Sequence, residues 1–369
     1  MNPAVPTPAI PMRPGTTILT AVHEAGGAVP FARFMELCLY HPTAGYYTRG
    51  DAIFGRAGDF YTASDLGAVY GRLMCRAFEA EWRRLGKPPQ FQVVEAGAGR
   101  GAFAADVLSW AQRHHPEWSA ALHYVLLEYS PALQAHQRQV LAGEDAARYS
   151  LAAELGEVPV AAAGCVLANE FFDALPVEVY RRAEVGLVRG WVELVGGQLK
   201  LAWRPADDRE LVVAQCGVRP AQPGDVVEVA PDAAGWVAGL LSKVQRGTLF
   251  VVDYGYAEAE WERFRHGTLR AFRRHQAGGD PLQQPGEQDL TAHVNFTALT
   301  RALGAGVAQL ATLHGFLRPL GDADGFAGLF DDARLAPERV KRGLQLRHLV
   351  SPAGLGEAFQ VLTLRHAER

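Results

Sequence analysis

Hydrophobic and polar positions follow a helical period near the start of the chain. Apolar residues at helical spacing predict two helices between Phe31 and Leu85, in "FARFMELCLY" and "LGAVYGRLMCRAFEAEWRRL". The segment between them shows neither a helical nor a strand period and is dense in Tyr, Phe, Gly and Asp: "HPTAGYYTRGDAIFGRAGDFYTASD". Long segments of this kind inside a compact chain are usually functional, so we predict a functional loop there.

From residue 91 the pattern alternates between buried strands and amphipathic helices. Strands are predicted in "FQVVEA", "HYVLLEY" and "CVLANE", with helices that begin near Gly101 and in "PALQAHQRQVL". Such a βαβαβ order predicts an α/β fold with a parallel, doubly wound, Rossmann-like sheet. Ligands of such sheets bind at the carboxyl ends of the strands.

A strand period with glycine turns then predicts an antiparallel β insertion from Val177 to Arg204. The α/β pattern resumes with a helix in "DAAGWVAGLLSKV", a strand in "GTLFVVDYG", the segment "GTLRAF" and a final helix and strand. The predicted division is a disordered N-terminal tail over 1–30, a helical and loop region over 31–90, the first part of the core over 91–176, the insertion over 177–230 and the rest of the core over 231–369.

Composition excludes several classes of protein. The 369 residues are 49% hydrophobic and carry a net charge of −4 with a pI near 6.3, so no global basic field would recruit nucleic acid or anionic lipid. Four separated cysteines without a CxxC pair argue against zinc and fit a reducing compartment. The first fifteen residues contain five prolines and one arginine, which is unlike a signal peptide, membrane anchor or transit peptide. We therefore expect a bacterial cytoplasmic protein without membrane insertion.

The segment "VVEAGAGRGAFAADVL" contains the glycines Gly97, Gly99 and Gly101, which could let a strand turn tightly beside a ligand. The spacing also satisfies the dinucleotide pattern GxGxxA, and a glycine turn that only packs a helix on a strand is a third interpretation. Glu95 favours a cationic ligand such as S-adenosylmethionine, which carries a sulfonium and an ammonium group. Glu128, at the end of the next strand, could accept hydrogen bonds from the ribose hydroxyls of either nucleoside cofactor.

A third strand leads into "VLANEFFDALPVEVY", which places Asn169, Glu170 and Asp173 at the edge where reacting groups gather in such folds. A cationic methyl acceptor would need carboxylates to hold it. Glu170 and Glu178 are eight residues apart with a turn between them and could face each other across a guanidinium. The alternative is a solvated acid and an acid on a strand face. Phe171 is a candidate to stack on adenine, although such residues more often belong to the core.

These motifs together resemble the DUF185 family of class I S-adenosylmethionine-dependent methyltransferases, which includes the mitochondrial complex I assembly arginine methyltransferase. The resemblance runs from about Phe31 to Leu364 and is carried by seven motifs in family order: "YHPTAGYY", "GDFYTASD", "VVEAGAGRG", "LANEFFDALPV", "VVDYG", "GTLRAFRRH" and "DPLQQPGEQDLTAHVNFTAL". It implies a class I methyltransferase sheet, S-adenosyl-L-methionine as cofactor and no metal.

The resemblance also implies roles by position. It makes the helical and loop region a lid over the cofactor, with Gly58, Asp59, Phe60 and Thr62 in the lid; relatives continue differently from Ala63 onward. It brings His293 and Asn295 to the cleft, while Asp289 and Thr291 could instead cap a helix or turn. The candidate cofactor-binding residues are Glu95, Gly97, Ala98, Gly99, Gly101, Glu128, Tyr129, Asn169, Phe171, Asp59 and Thr62. The candidate catalytic residues are Glu170, Asn169, Asp173 and Glu178.

The function expected from the resemblance is methylation of a protein arginine, with a target like a subunit of complex I. The rival interpretations are a small-molecule methyltransferase, an assembly factor that holds cofactor with little turnover, and a nicotinamide oxidoreductase. The expected partners are a protein substrate and a second copy in a homodimer, without nucleic acid.

Overall fold

The computed structural model describes residues 13–48, 68–206, 220–273, 276–302, 306–351 and 354–366. The helices of these residues are α1 (Pro14–Glu24), α2 (Phe31–Tyr40), α3 (Ala68–Arg84), α4 (Ala102–His114), α5 (Pro116–Ala121), α6 (Pro131–Val140), α7 (Ala233–Leu241), α8 (Phe296–Ala302), α9 (Leu313–Asp322), α10 (Ala336–Val350) and α11 (Leu355–Ala358). Their strands are β1 (Ala28–Pro30), β2 (Phe91–Ala96), β3 (Leu122–Leu127), β4 (Tyr149–Ala152), β5 (Gly164–Asn169), β6 (Glu178–Arg182), β7 (Leu187–Val195), β8 (Gln198–Pro205), β9 (Val226–Val229), β10 (Gly247–Tyr256), β11 (Arg270–Arg273), β12 (Gln276–Ala277), β13 (Asp289–Thr291), β14 (Val294–Asn295), β15 (Gly306–Thr312) and β16 (Phe359–His366).

An eight-stranded sheet forms the centre of the molecule. Its order is β15-β16-β10-β5-β2-β3-β4, and β14 pairs with β10. The strands from β10 to β4 run parallel, whereas β16 is antiparallel to both β10 and β15. The central strands β2 and β5 are almost wholly buried, because nearly continuous apolar runs can be covered on both faces only in the middle of such a sheet. The predicted α/β, doubly wound fold is confirmed.

Helices cover both faces of this sheet. Val93 faces a cluster that includes residues of α3 and α4, such as Phe78 and Trp110. Its neighbour Val94 faces the opposite cluster, which includes Leu240 of α7. Successive strand residues point to opposite faces, so one short strand contributes to two apolar layers. This double covering fixes the carboxyl ends of the strands at one rim.

A second, antiparallel sheet has the order β1-β7-β6-β9, and β8 pairs with β7. Most of its strands come from the segment where strand-period alternation and glycine turns predicted an insertion. Apart from its N-terminal tail, the predicted division of the chain into regions stays a prediction. A small third sheet has the order β12-β11-β13.

The disordered tail predicted over 1–30 is wrong from Pro14 onward. Pro14 occupies the first turn of α1, where its missing N–H costs nothing. Ile18 and Val22, four residues apart on α1, are fully buried against the apolar cluster under the second sheet. Val29 of β1 joins the same cluster. The prolines at the start of the chain indicated disorder, but a helix begins at the last of them.

No helix in the described part of the chain is long and apolar enough to cross a membrane.

Candidate active site

The carboxyl ends of the central strands open into a cavity with a volume of about 1140 Å³. Residues that follow β2, β3 and β5 line it, together with residues of α2, α6 and α7. Nine acidic side chains and two arginines are among the described lining residues. The acids are Glu36, Glu95, Glu128, Glu154, Glu170, Asp173, Glu178, Asp232 and Asp289. The cavity is therefore suited to positively charged ligands.

The glycine loop after β2 adopts a backbone that favours glycine. Gly97, Gly99 and Gly101 have φ angles of 69°, 51° and 77°, in the left-handed region. A Cβ on Gly97 would lie 3.1 Å from the Phe171 ring. A Cβ on Gly99 would have as its nearest described neighbour the carbonyl oxygen of Gly97, 4.0 Å away, so this side of the loop faces open cavity. The N-terminus of α4 follows the loop directly.

Glu128 ties the ends of two strands together. The Gly99 N–H donates to its Oε2 at 2.9 Å, and the Ser130 N–H donates to its Oε1 at 2.8 Å. Burial raises the pKa of Glu128 to about 7, while these two backbone donors act in the opposite direction. Because each carboxylate oxygen can accept more than one hydrogen bond, both retain capacity for ribose hydroxyls. The geometry is that expected of a ribose acid.

Glu95 lies deeper than its predicted role suggests. It is only 6% exposed, and the Tyr124 hydroxyl donates to its Oε2 at 2.9 Å. Burial is the main cause that raises the pKa of Glu95 to about 8, and the charge of Glu128 adds to this effect. At neutral pH the free protein therefore holds much of this group protonated. A cation bound in the cavity would favour the ionised form.

Asn169 and Glu170 stand at the end of β5 in a directed chain of hydrogen bonds. The Tyr70 hydroxyl donates to Asn169 Oδ1 at 2.7 Å, and Asn169 Nδ2 donates to Glu170 Oε1 at 3.3 Å. Glu170 has a φ of 48°, unusual for a residue with a side chain, and its N–H donates to the Val252 carbonyl at 2.8 Å. Strained backbone of this kind is typical of functional sites.

The turn after Glu170 is fixed by Asp253 of β10, a fully buried residue. Its Oδ2 accepts from the backbone N–H groups of Phe172 at 3.0 Å and Asp173 at 3.2 Å. Burial, followed by the charges of Asp173 and Glu170, raises the pKa of Asp253 well above its ordinary range. Burial likewise raises the pKa of Asp173, which lines the cavity. Burial and mutual repulsion thus favour the protonated forms of these carboxyl groups, and a bound cation would favour the ionised forms.

Tyrosines from the N-terminal region face these acids. Tyr40 and Tyr47 are stacked with ring centroids 5.6 Å apart. Tyr47 donates its hydroxyl to Asp289 Oδ1 at 2.8 Å, and Tyr40 donates to the Ala174 carbonyl at 3.0 Å. Burial, then the charge of Asp289, raises the pKa of Tyr47 well above its ordinary value. We call Tyr40, Tyr47, Asp173 and Asp289 the acceptor end of the cavity, because aromatic faces and carboxylates both attract cations.

Glu178 is placed differently from the predicted carboxylate pair. It lines the cavity with Glu170, but its Oε2 accepts from Arg189 Nε at 3.0 Å and its Oε1 accepts from Arg189 Nη2. The carboxylate of Glu178 is thus already paired with a guanidinium of the protein itself.

The remaining predicted residues fall into three groups. Ala98, Tyr129 and Phe171 line the cavity; Tyr129 is 57% exposed, and the Phe171 ring stands edge-to-face against Trp236 at 5.0 Å. Asp289 also lines the cavity, in strand β13. Neither His293 nor Asn295 is among the described lining residues; Asn295 Oδ1 instead accepts from the Ala298 N–H at 3.1 Å and caps α8. Asp59, Thr62 and the other predicted lid residues lie outside the described residues.

Sequence reasoning gave no role to several residues that organise the site. Tyr70, Tyr40, Tyr47 and Asp253 each hold a predicted residue or line the same cavity. All four lie in stretches already quoted: Tyr40 and Tyr47 in "YHPTAGYY", Tyr70 in "LGAVYGRLMCRAFEAEWRRL" and Asp253 in "VVDYG". Asp253 could have been recognised from the sequence, because it is an acid within an apolar strand and a buried acid requires a hydrogen-bond partner.

S-adenosyl-L-methionine fits the residues present. The loop side at Gly99 is open, Glu128 presents a carboxylate to the cavity, and the excess of buried acids matches the cofactor's positive charges. The helix that follows the loop would also suit a pyrophosphate. The surrounding acids oppose that second choice.

Comparisons with known proteins agree with this assignment. Residues 73–314 match the model of a family described as S-adenosyl-L-methionine-dependent methyltransferase. The protein arginine methyltransferase NDUFAF7 of Mus musculus mitochondria is 29% identical over 94% of this chain and 83% of its own length. The Drosophila melanogaster homologue is 30% identical over 92% and 82%. A Burkholderia thailandensis structure bound to S-adenosyl-homocysteine has a TM-score of 0.84 at 29% identity, covering 98% of this chain and 95% of its own.

Proposed function

This chain belongs to the family of S-adenosyl-L-methionine-dependent methyltransferases, and we propose that its methyl acceptor is an arginine in a protein substrate. The observation that carries the proposal is the acceptor end of the cavity, where two stacked tyrosines and two carboxyl side chains line the same cavity as Glu170. The names of the relatives from mouse and fruit fly support it. As a target we propose a homologue of a complex I subunit.

The residues divide the work between holding cofactor and holding acceptor. Gly97, Gly99 and Glu128 would hold the cofactor, and when bound it supplies an electrophilic methyl group on a sulfonium. Glu170 would hold the acceptor guanidinium and take up the proton that the attacking nitrogen loses. Asn169 orients Glu170 through its amide. Alignment of the nitrogen and exclusion of water supply most of the acceleration in such a site.

Tyr70 keeps Asn169 in the orientation that Glu170 needs. Since Tyr70 donates to the amide oxygen, the amide nitrogen must point toward Glu170. Burial, then the charge of Glu170, raises the pKa of Tyr70 well above its ordinary value, so its hydroxyl remains a donor throughout the physiological range. Tyr70 is therefore a positioning residue.

The test uses labelled cofactor and the complex I subunit homologue of the same organism. We expect wild-type enzyme to place label on an arginine, located by mass spectrometry of peptides. Glu170→Gln should bind cofactor almost normally yet transfer about a hundredfold more slowly, because shape is kept and charge is lost. Glu36→Gln, which removes a cavity-lining acid already paired with Arg33, is the matched control and should stay near wild type.

Two results would contradict the proposal. Label found only on small molecules from a lysate would make the enzyme a small-molecule methyltransferase, and bound cofactor that is never consumed would make it an assembly factor. Transfer by Glu170→Gln at the wild-type rate would remove Glu170 from the chemistry and leave Asp173 as the next acid to test.

We also infer that the protein acts in the bacterial cytoplasm. The three described cysteines, Cys38, Cys75 and Cys165, are buried free thiols, which supports a reducing compartment. Fractionation of the source cells would test this location. The predicted homodimer stays a prediction.

A further inference from the structure

We propose that one face of the second sheet docks the stretch of a protein substrate next to its acceptor arginine. This face, the Trp191 face, is defined by Trp191, Arg189, Arg204 and Glu193. The inference rests on the proposed function and extends it from the cavity to the surface beside it. The Trp191 face would bind the polypeptide around the acceptor, whereas the cavity would select the side chain that is methylated.

Strand register assigns these side chains to one face. Trp191 of β7 stands opposite Pro30 of β1 and Ala202 of β8. Arg189 stands opposite Arg204, and residues two apart on a strand share a face. Gly190 stands opposite Trp203 on the other face, and Trp203 packs against the apolar cluster formed with α1 and α2. One face of the sheet therefore packs on α1 and α2. On the opposite face Tyr180 and Leu187 are buried in a separate apolar cluster, whereas Arg189, Trp191 and Arg204 are only half-buried.

The Trp191 face continues into the wall of the active-site cavity. Pro30, opposite Trp191, lines the cavity. So does Glu178, whose carboxylate is held by Arg189. The ion pair between Glu178 and Arg189 thus joins the cavity to the sheet face without an intervening element. We therefore expect a polypeptide that inserts an arginine past this wall to place neighbouring residues over the face.

The face presents an aromatic ring held by paired charges. The Arg204 guanidinium lies 4.1 Å from the centre of the Trp191 ring, and Arg189 lies 5.9 Å from it. Arg204 Nη2 also contacts Glu193 Oε1 at 2.8 Å. The charged side chains of the Trp191 face are accessible from solvent: Arg204 is 43% exposed, Glu193 31% and Arg189 30%. Tryptophan and arginine on an accessible surface are the residue types that dominate binding energy at protein interfaces.

Charge decides what kind of segment fits. Arg189 is paired with Glu178, and Arg204 is paired with Glu193. The Trp191 face is therefore neither a basic nor an acidic patch. The excess of acidic side chains belongs to the cavity, which would attract the acceptor arginine. The flanking segment should therefore carry an uncharged, apolar or aromatic side chain close to that arginine, to pack on Trp191. A highly charged flank would gain little there.

The experiment compares substitutions on the two faces of the same sheet. Once the methylated arginine is mapped, two peptides are made around it, one of about twenty residues and one restricted to the arginine and its immediate neighbours. Trp191→Leu and Arg204→Gln are the test variants. Trp203→Leu is the matched control, because it removes the same ring, also under an arginine, from the opposite face.

We expect Trp191→Leu to raise KM for the long peptide about tenfold or more, with kcat and the cofactor Kd unchanged. The short peptide should react equally with wild type and variant, and Arg204→Gln should show a smaller effect in the same direction. Trp203→Leu should lower thermal stability without a selective change in KM for the long peptide. The Kd of the long peptide, measured by calorimetry with S-adenosylhomocysteine present, should rise in parallel with KM.

Each contrary result has a distinct meaning. If wild type methylates no arginine in the complex I subunit homologue or in cell lysate, both the proposed function and this inference fall. Should wild type methylate arginine while Trp191→Leu leaves KM and Kd for the long peptide unchanged, only the docking surface is overturned. Equal losses with both peptides would also overturn it, because Trp191 would then act by supporting the cavity wall.

Discussion

Replacing Glu128 by glutamine should weaken cofactor binding without unfolding the protein. In the native site each carboxylate oxygen accepts one backbone N–H, from Gly99 at 2.9 Å and from Ser130 at 2.8 Å. Glutamine has a single acceptor oxygen, so one of those N–H groups would face an NH₂ group. The change also removes the negative charge that would receive ribose hydroxyls. The perturbation therefore acts on the loop and on the cofactor together.

The expected magnitude follows from these contacts. A hydrogen bond to a charged group contributes about 1.5–3 kcal/mol, which corresponds to roughly a 10- to 150-fold increase in Kd. Because burial raises the pKa of Glu128 to about 7, the wild-type side chain is largely protonated at pH 6 and largely ionised at pH 8. The cofactor Kd of Glu128→Gln divided by that of the wild type should therefore be larger at pH 8 than at pH 6.

Isothermal calorimetry with S-adenosylmethionine and S-adenosylhomocysteine at both pH values measures this ratio. Glu81→Gln provides the control, since Glu81 is a buried glutamate paired with Arg84 and does not line the cavity. It should alter stability but not affinity. An unchanged Kd in folded Glu128→Gln protein would refute the ribose role, and a ratio independent of pH would refute the argument from burial.

Three further predictions test the glycine loop, the hydrogen-bond chain from Tyr70 to Glu170 and the buried charge of Glu95. Gly99→Val should abolish detectable cofactor binding in calorimetry while circular dichroism stays native, because a branched side chain at φ 51° would enter the open cavity. Tyr70→Phe should lower kcat about tenfold with cofactor Kd unchanged, since it frees Asn169 to rotate away from Glu170. Burial raises the pKa of Glu95 from 4.5 to about 8, so between these values the folded chain keeps a proton that the unfolded chain has lost. The free energy of unfolding should fall as pH rises from about 5 to about 8, and Glu95→Gln should flatten the curve in urea titrations.

The main sheet could be predicted because its signals are local. The strand at Phe91–Ala96 and the helix at Phe31–Tyr40 have the predicted bounds, since an unbroken apolar run and helical spacing are each visible within a few consecutive residues. Helix α1 was not predicted, because the five prolines near the start indicated disorder although Ile18 and Val22 have helical spacing. Its stability comes from packing on the second sheet, which is a contact distant in sequence.

The site was predictable to the extent that its residues follow strands. Glu128 and Glu170 were found because parallel strands bring their carboxyl ends to one rim. The bond from Tyr70 to Asn169 spans 99 positions, and that from Tyr47 to Asp289 spans 242. No periodicity encodes such pairs. The same holds for Arg189, whose bond to Glu178 depends on a register within the second sheet.

The surplus of acids gives the cavity a way to distinguish substrates from products. Near neutral pH Glu95 and Glu128 are partly protonated in the free protein, because burial raises the pKa of each carboxyl group. Bound sulfonium and guanidinium groups would let these and neighbouring carboxyls ionise and so be held more strongly. Transfer of the methyl group from the sulfonium to a guanidinium nitrogen would leave a neutral thioether and release the proton of that nitrogen. The carboxylates would then face one positive charge fewer, which would favour their reprotonation and weaken their hold on the spent cofactor.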